Sequence, residues 1–471
     1  MQPITQIFDY VDQHFESMLE DLEALCACPS TAGNPQGLEG ARREILRKME
    51  SLGLKPELHP IPEGNALISA AVEGKDSRTL LFYNHYDVVE PGDPGLWKSG
   101  DPYKMRRDDG KLYARGVSDN KGALCSRLHA VQAILAVNKT LPVKVKFLFE
   151  GDEETSSPSM FRFAMEHPEE FKELIRSDLC VWENGRNDAA GRPWIRFGVR
   201  GSVSFDLKVT TAATDVHGRM GAAVPSASWR LVKALATLKD DDGRITIDGF
   251  YDSICPTTQE DLQVLRDFPY EEELQKKRLG ISQFLRGSTG EKLKQQIYLE
   301  PSLSICAIEA GEPHKGVRGI VPHKASARLS FYLVANQKPA EVEALLRTHL
   351  RQHGYADIEV ERRGSSNTPV RTPVNIPFRR RACEAAKKVY AQPMVVELTQ
   401  LGGGPAGVFR EAWPELPIVG FGPANTTPNH HAPEENMNVE DYRKAIKYLI
   451  ALFYSYADDQ IIENGDEPKL C

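Results

Sequence analysis

Residues 79 to 87 read Thr79-Leu80-Leu81-Phe82-Tyr83-Asn84-His85-Tyr86-Asp87, an apolar run that ends in residues able to bind metal or move protons. The run has the length and composition of a buried strand, and its carboxyl end carries the chemistry. A second run, Val143-Lys144-Val145-Lys146-Phe147-Leu148-Phe149, opens in the same way onto Glu150-Gly151-Asp152-Glu153-Glu154. Between the two, a stretch from about Gly122 to Val137 has helical character. Strand, helix and strand in that order predict an α/β layer on a largely parallel sheet. Ligands at the carboxyl ends of neighbouring strands then converge on one crevice.

Working outward, Ile4, Ile7, Phe8, Val11, Phe15, Met18, Leu19, Leu22 and Leu25 recur at spacings of three and four, which predicts one amphipathic helix ending before Pro29. A second helix is expected over Leu38 to Leu52. Near Gly201 the texture changes: Val203, Phe205, Leu207 and Val209 alternate with polar positions, as a sheet with one wet face requires. This second texture holds a helix near Ala227 to Leu238, a polar stretch from Asp240 to Gln296, a strand at Ala325 to Val334 and a helix from Ala340 to His353. A helix at Phe378 to Tyr390, a strand at Pro417 to Phe421 and a closing helix at Val439 to Tyr456 return to the α/β pattern. The reading is therefore a catalytic domain over 1–201 and 375–471, interrupted by an inserted α+β domain over 202–374.

Composition narrows the function classes. Fifty-eight Lys plus Arg against 66 Asp plus Glu give a formal charge of -8, spread along 471 residues without a basic block, so neither nucleic acid nor an anionic membrane is an expected partner. With 41% apolar and 26% charged residues the chain reads as an ordinary soluble globular protein. No apolar run approaches the ~20 residues of a membrane span, and the amino-terminal stretch carries acids where a secretory signal would carry lysines, so a cytoplasmic location is expected. Eight cysteines include no CxxC pair; Cys26 and Cys28 form a lone CxC, and buried reduced thiols are expected, with Cys471 exposed.

Three further segments carry metal-ligand chemistry: Gly116-Val117-Ser118-Asp119-Asn120-Lys121-Gly122, Val181-Trp182-Glu183 and His430-His431-Ala432-Pro433-Glu434-Glu435-Asn436. Taken in order, HxD, GxxDxKG, a GxEE-like acidic run and HAPxE make the chain resemble the cocatalytic zinc amidohydrolase and peptidase superfamily of carnosinases, carboxypeptidase G and acetylornithine deacetylase, over nearly its whole length. The stretch Asp242 to Asp252 and the Pro301-Ser302-Leu303-Ser304 run are similar to the carnosinase-type dipeptidase branch.

The resemblance implies a zinc-peptidase-like catalytic domain interrupted by a lid and dimerisation domain, working as a homodimer. It implies two divalent metal ions bridged by Asp119, with His85 and Glu183 completing one site and Glu154 and His431 the other. Imidazole and carboxylate donors suit zinc, with manganese or cobalt as alternatives, and one carboxylate can hold two dications ~3.5–4 Å apart. Asp178 stands near Glu183 and His430 beside His431 as rival ligands. Asp87 is expected to orient His85 through its other ring nitrogen. By resemblance Glu153 is the general base that takes a proton from the metal-bridging water, while Asp152 reads as solvated. His217 matches a lid histidine that reaches a partner's active site, although Gly218-Arg219 follows it here where relatives commonly differ.

The substrate pocket departs from its relatives. Tyr332 stands where related dipeptidases carry an arginine that clamps the terminal carboxylate, and a phenol cannot form a bidentate charge-assisted pair. Arg328, on the same strand face, is ~13 Å away. Cys306 occupies a position where His or Asn is common; Gly404 stands where Ser often follows paired glycines. Gly402, Gly403 and Gly404 lack the Lys-Ser/Thr of a phosphate loop, and resemblance makes them a backbone cradle for substrate. The reading is a dipeptidase or aminoacyl-peptidase acting on a small peptide or amide. An N-acyl amino acid amidohydrolase and a non-catalytic metal-binding scaffold are the rivals.

Overall fold

Phe82 and Tyr83 show how the first unit is layered. Adjacent strand residues point to opposite faces of a sheet. Phe82 packs on Phe453 of the closing helix, whereas Tyr83 stacks on Trp182 and meets Phe409 edge-on, so helical segments cover the strand on both sides. A strand buried on both faces reads as a continuous apolar run, which is why the Thr79–Tyr83 stretch lacks alternation. The structure, a computed structural model, describes residues 2–183, 185–311 and 318–459; Cys471 lies outside them.

The chain divides into two units: Met1–Gly198, Arg371–Leu398 and Val408–Cys471 form the first, and Val199–Val370 with Thr399–Gly407 the second. In the first, the sheet order is Glu57–His59, Leu67–Val72, Leu141–Glu150, Gly74–His85, Leu179–Trp182, Ile418–Gly420, Trp194–Arg196, Val395–Glu397. Gly74–His85 pairs in parallel with both its neighbours, as Ile418–Gly420 does with Leu179–Trp182 and Val395–Glu397 with Trp194–Arg196. Antiparallel pairing is confined to the Glu57–His59 edge and to one contact of Ile418–Gly420 with Trp194–Arg196. Helix Lys121–Asn138 is buried along most of its length and packs on the central strands and on helix Val439–Ala457.

The expected single helix over Ile4 to Leu25 is two, Ile4–Gln13 and Phe15–Cys26, broken at His14. His14 leaves helical geometry at φ -108 and ψ 13, and its ring nitrogen bonds the Tyr10 carbonyl. The apolar stripe survives the break, with Ile7, Val11, Phe15, Met18, Leu19, Leu22 and Leu25 all buried. No helix among the described residues is long and apolar enough to cross a membrane. Cys26, Cys125 and Cys180 are buried free thiols, but Cys306 is exposed and Cys383, expected to be reduced, is disulfide-bonded.

In the second unit an antiparallel sheet runs Ser302–Ala310, Lys324–Leu333, Gly198–Thr210, Glu359–Asn367. Val203, Phe205, Leu207 and Val209 face Leu329, Phe331 and Leu333 in one core, covered by helices Ala227–Ala236 and Pro339–Gln352. The other face is charged, with Asp206 held between Arg328 and Arg363. The expected polar stretch of 240–296 contains helices Gln259–Asp267 and Glu272–Leu279 and most of Gly290–Leu299; a Thr258 capping box starts the first. Thr399–Gly407, read from sequence as part of the outer domain, groups here because Gln400–Gly403 pairs in parallel with Gly198–Thr210.

Candidate metal centre

Parallel pairing brings the carboxyl ends of the central strands level. His85 ends one strand opposite Glu150, which ends the next, and Glu183 follows directly after Leu179–Trp182. Asp119 lies in the turn before helix Lys121–Asn138, and His431 in the loop between Ile418–Gly420 and Asn436–Asn438. Glu154 lies in the short turn Glu153–Thr155 after Glu150, so His85, Asp119, Glu154, Glu183 and His431 from across the first unit meet beyond the carboxyl ends of the strands.

The two oxygens of Asp119 serve different partners. Oδ1 is 3.3 Å from His85 Nε2, which is 3.5 Å from Glu183 Oε2. Oδ2 is 3.5 Å from His431 Nε2, which is 3.2 Å from Glu154 Oε2. The result is two three-donor clusters sharing one carboxylate. Ligand atoms of His85, Asp119 and Glu154 lie within 4.8 Å of one another. Among the described residues Glu154 Oε1 and Glu183 Oε2 are buried with no hydrogen-bond partner. Buried carboxylate oxygens without donors are costly, and a dication is the ligand that would satisfy them. The residues present thus fit two divalent ions with nitrogen and oxygen ligands.

Both rival ligands have other partners. Asp178 sits at the far end of its strand, where it accepts the Thr79 amide at 2.7 Å. His430 stands 3.7 Å from Asp119 Oδ2, but its Nε2 is 2.9 Å from Ser118 Oγ.

Electrostatics follow from crowding acids and imidazoles. Burial pushes Glu153 well above the usual carboxylate range, reinforced by Glu183, Glu154 and Asp119 and opposed by His85. For Asp119 burial acts upward too, but hydrogen bonds with His431 and His85 prevail and hold it well below. His431, half open to solvent, is raised to about 10 by Asp119 and Glu154.

Much of the supporting structure has no obvious sequence signature. His85 Nδ1 bonds the Asp87 backbone carbonyl at 3.1 Å, with the Asp87 carboxylate 3.3 Å away. That carboxylate accepts the amides of Glu153 and Glu154, at 3.2 and 2.9 Å, so Asp87 ties the acidic turn to the histidine strand. Glu435, wholly buried, accepts the amides of Gly116 at 2.8 Å, Ser118 at 2.9 Å and Asp119 at 2.8 Å, and pairs with Arg115 at 2.6 Å. Asp152 is buried rather than solvated, because its carboxylate accepts both the hydroxyl and the amide of Ser159. Glu435 closes the quoted HAPxE run, but its partners, more than 300 residues upstream, are visible only in three dimensions.

The remaining expected site residues lie in the second unit. His217 is exposed on the short strand Val216–His217, its Nδ1 accepting the Arg219 amide. Tyr332 is exposed and registers with Ser202 and Ser302. Cys306 sits at the bulge of Ser302–Ala310. Gly402 and Gly403 are exposed, and Gly404 is buried just beyond their strand. Arg328 is engaged with Asp206 at 2.8 Å.

The model of peptidase family M20/M25/M40 matches residues 81–455. Human Beta-Ala-His dipeptidase is 29% identical over 366 residues, covering 74% of this chain and 71% of its own. The Cys-Gly metallodipeptidase of Candida albicans is 24% identical, covering 96% and 97%. The crystal structure of an M20 family metallo-carboxypeptidase from Sulfolobus solfataricus superposes with a TM-score of 0.84 at 32% identity, covering 93% and 99%. That of human carnosine dipeptidase 1 gives 0.72 at 25%, covering 96% and 98%.

Proposed function

The chain belongs to peptidase family M20/M25/M40 and is a metal-dependent hydrolase of the dipeptidase type, and from that premise we propose that its centre holds two divalent ions. His85, Asp119 and Glu183 hold one; Asp119, Glu154 and His431 hold the other. What supports this is the divergence of the two Asp119 oxygens toward separate His and Glu partners, with orphaned buried oxygens on Glu154 and Glu183. Zinc suits the mixed imidazole and carboxylate set. When bound, such ions polarise the scissile carbonyl and acidify water.

The protein's own residues do the rest. Glu153, unligated beside the cluster, takes the proton of the attacking water and delivers it to the departing amine nitrogen. Asp87 keeps that turn and the His85 ring in fixed relation. In this reading His217 serves catalysis across a homodimer, Tyr332, Cys306, Gly402, Gly403 and Gly404 bind substrate, and the protein works in the cytoplasm. With Tyr332 in the arginine position, the pocket accepts small peptides without a bidentate carboxylate clamp. The named dipeptidase relatives favour this over an N-acyl amino acid amidohydrolase.

Replacing Glu153 with Ala tests the assignment against a scaffold that binds metal without turnover. Dipeptide hydrolysis should fall by at least ~100-fold while two metal equivalents are retained. Unchanged turnover, or loss of a metal ion, would remove Glu153 from the role of base.

A further inference from the structure

Arg127 is almost wholly buried on helix Lys121–Asn138, yet among the described residues its hydrogen bonds all go to neutral oxygens. Nη1 donates to the Tyr83 carbonyl and to Asn84 Oδ1. Nη2 donates to the carbonyls of Trp182 at 2.7 Å, Glu183 at 3.2 Å and Phe421 at 3.2 Å. One planar fork thus joins the ends of three strands: the one carrying His85, the one leading into Glu183, and Ile418–Gly420. Carbonyls at strand ends have run out of ladder partners and need donors. A lysine ammonium, a compact point donor, cannot span them as a guanidinium does.

The same network reaches the third ligand of that cluster. Asn84 Nδ2 donates to Asn120 Oδ1, and Asn120 Nδ2 donates to the Glu183 carbonyl at 3.3 Å. Asn120 follows Asp119 directly. The other cluster is held by different means. The Glu154 amide is bonded by Asp87, and the loop of His431 by Arg115 on the Ala432 carbonyl and by Asn436 on those of Thr427 and Glu434. Among the described residues no hydrogen bond of Arg127 reaches Glu154 or His431.

We propose that Arg127 is a positioning residue that fixes the spacing of His85 and Glu183, and so governs the affinity of the ion they hold far more than that of the ion held by Glu154 and His431. This rests on the two-ion reading above. Groups that orient metal ligands typically contribute about tenfold to a hundredfold in affinity.

The experiment is zinc titration of chelator-stripped full-length protein, with bound metal counted by elemental analysis, for wild type, Arg127→Lys and Asn84→Ala. Asn84→Ala cuts the same network at a smaller side chain and serves if the arginine variant does not fold; circular dichroism of the stripped proteins checks this. Wild type should bind two equivalents tightly. Each variant should keep one at its original affinity and bind the second about 10- to 100-fold more weakly. Adding His431→Ala should leave wild type with one tight ion and Asn84→Ala with none. Two equivalents in wild type, but equal weakening of both or of neither in the variants, would overturn the role of Arg127 alone. Fewer than two in wild type would overturn the two-ion reading and this inference with it.

Discussion

Replacing Glu435 with Leu isolates what holds the bridging carboxylate in place. Its wild-type carboxylate is fully buried, and the substitution leaves the amides of Gly116, Ser118 and Asp119 without acceptors beside a buried Arg115. Breaking a buried ion pair from one side costs about 3–5 kcal/mol, and each buried donor left unpaired about 1–3 kcal/mol. These losses overlap, so a loss of about 4–6 kcal/mol in urea unfolding of the metal-free first unit is expected. The instructive comparison is Arg115→Met combined with Glu435→Leu. Swapping a buried ion pair for apolar side chains is often close to neutral, so if Glu435 served only Arg115, the double variant would recover. Because three amides would still be orphaned, it should stay destabilised by about 2–4 kcal/mol and bind zinc at least about tenfold more weakly. Recovery to within about 1 kcal/mol of wild type, the usual error of such comparisons, would refute the claim that Glu435 braces the Asp119 turn.

Three other outcomes are expected. Burial acts to raise Asp21, but hydrogen bonds with His129 and Lys48 outweigh it and bring the carboxyl down to about 2, so its contribution is complete above the unfolded value of 3.8 and lost as pH falls through the folded one. Asp21→Asn should therefore destabilise by up to about 2 kcal/mol at neutral pH, and a gap that fails to close on acid titration would contradict the assignment. A Cβ at Gly151 would lie 2.4 Å from the ring of Tyr86, which is itself buried and bonded to Ala66; Gly151→Ala should thus displace the Glu153–Glu154 turn, seen as a loss of about 1–3 kcal/mol and weaker metal binding, and a fully wild-type variant would refute it. A dipeptide and its terminal amide should differ by less than about tenfold in kcat/KM, since Tyr332 offers one neutral donor; a preference for the acid above about 100-fold would reveal a clamp.

The layered sheet was legible in the sequence because a strand buried on both faces is a bare apolar run, whereas the candidate ligands were named by the resemblance that the HxD, GxxDxKG, GxEE-like and HAPxE runs carry. Thr79–Tyr83 before His85 and Val143–Phe149 before the acidic turn both show such a strand. What escaped was anything decided by local competition or by distant partners. The break at His14 lies inside an unbroken apolar stripe, so periodicity could not register it. The helices within 240–296 bury little apolar surface and announce themselves mainly by caps such as Thr258. Asp152 reads in sequence as one more residue of an acidic run, and only the approach of Ser159 shows what holds it in the interior. Arg127 sits in the apolar body of a helix, where sequence alone gives no hint that three strand ends converge on it.

Ile418–Gly420 lies between Leu179–Trp182 and Trp194–Arg196 in the sheet, and His431 and Glu435 follow close behind. A chain still on the ribosome, emerged only as far as Trp413, has His85, Asp119, Glu154 and Glu183 but lacks a middle strand, one imidazole ligand and the brace of the shared carboxylate. The central sheet and the brace on the Asp119 turn are therefore completed only after the chain has been made past Glu435.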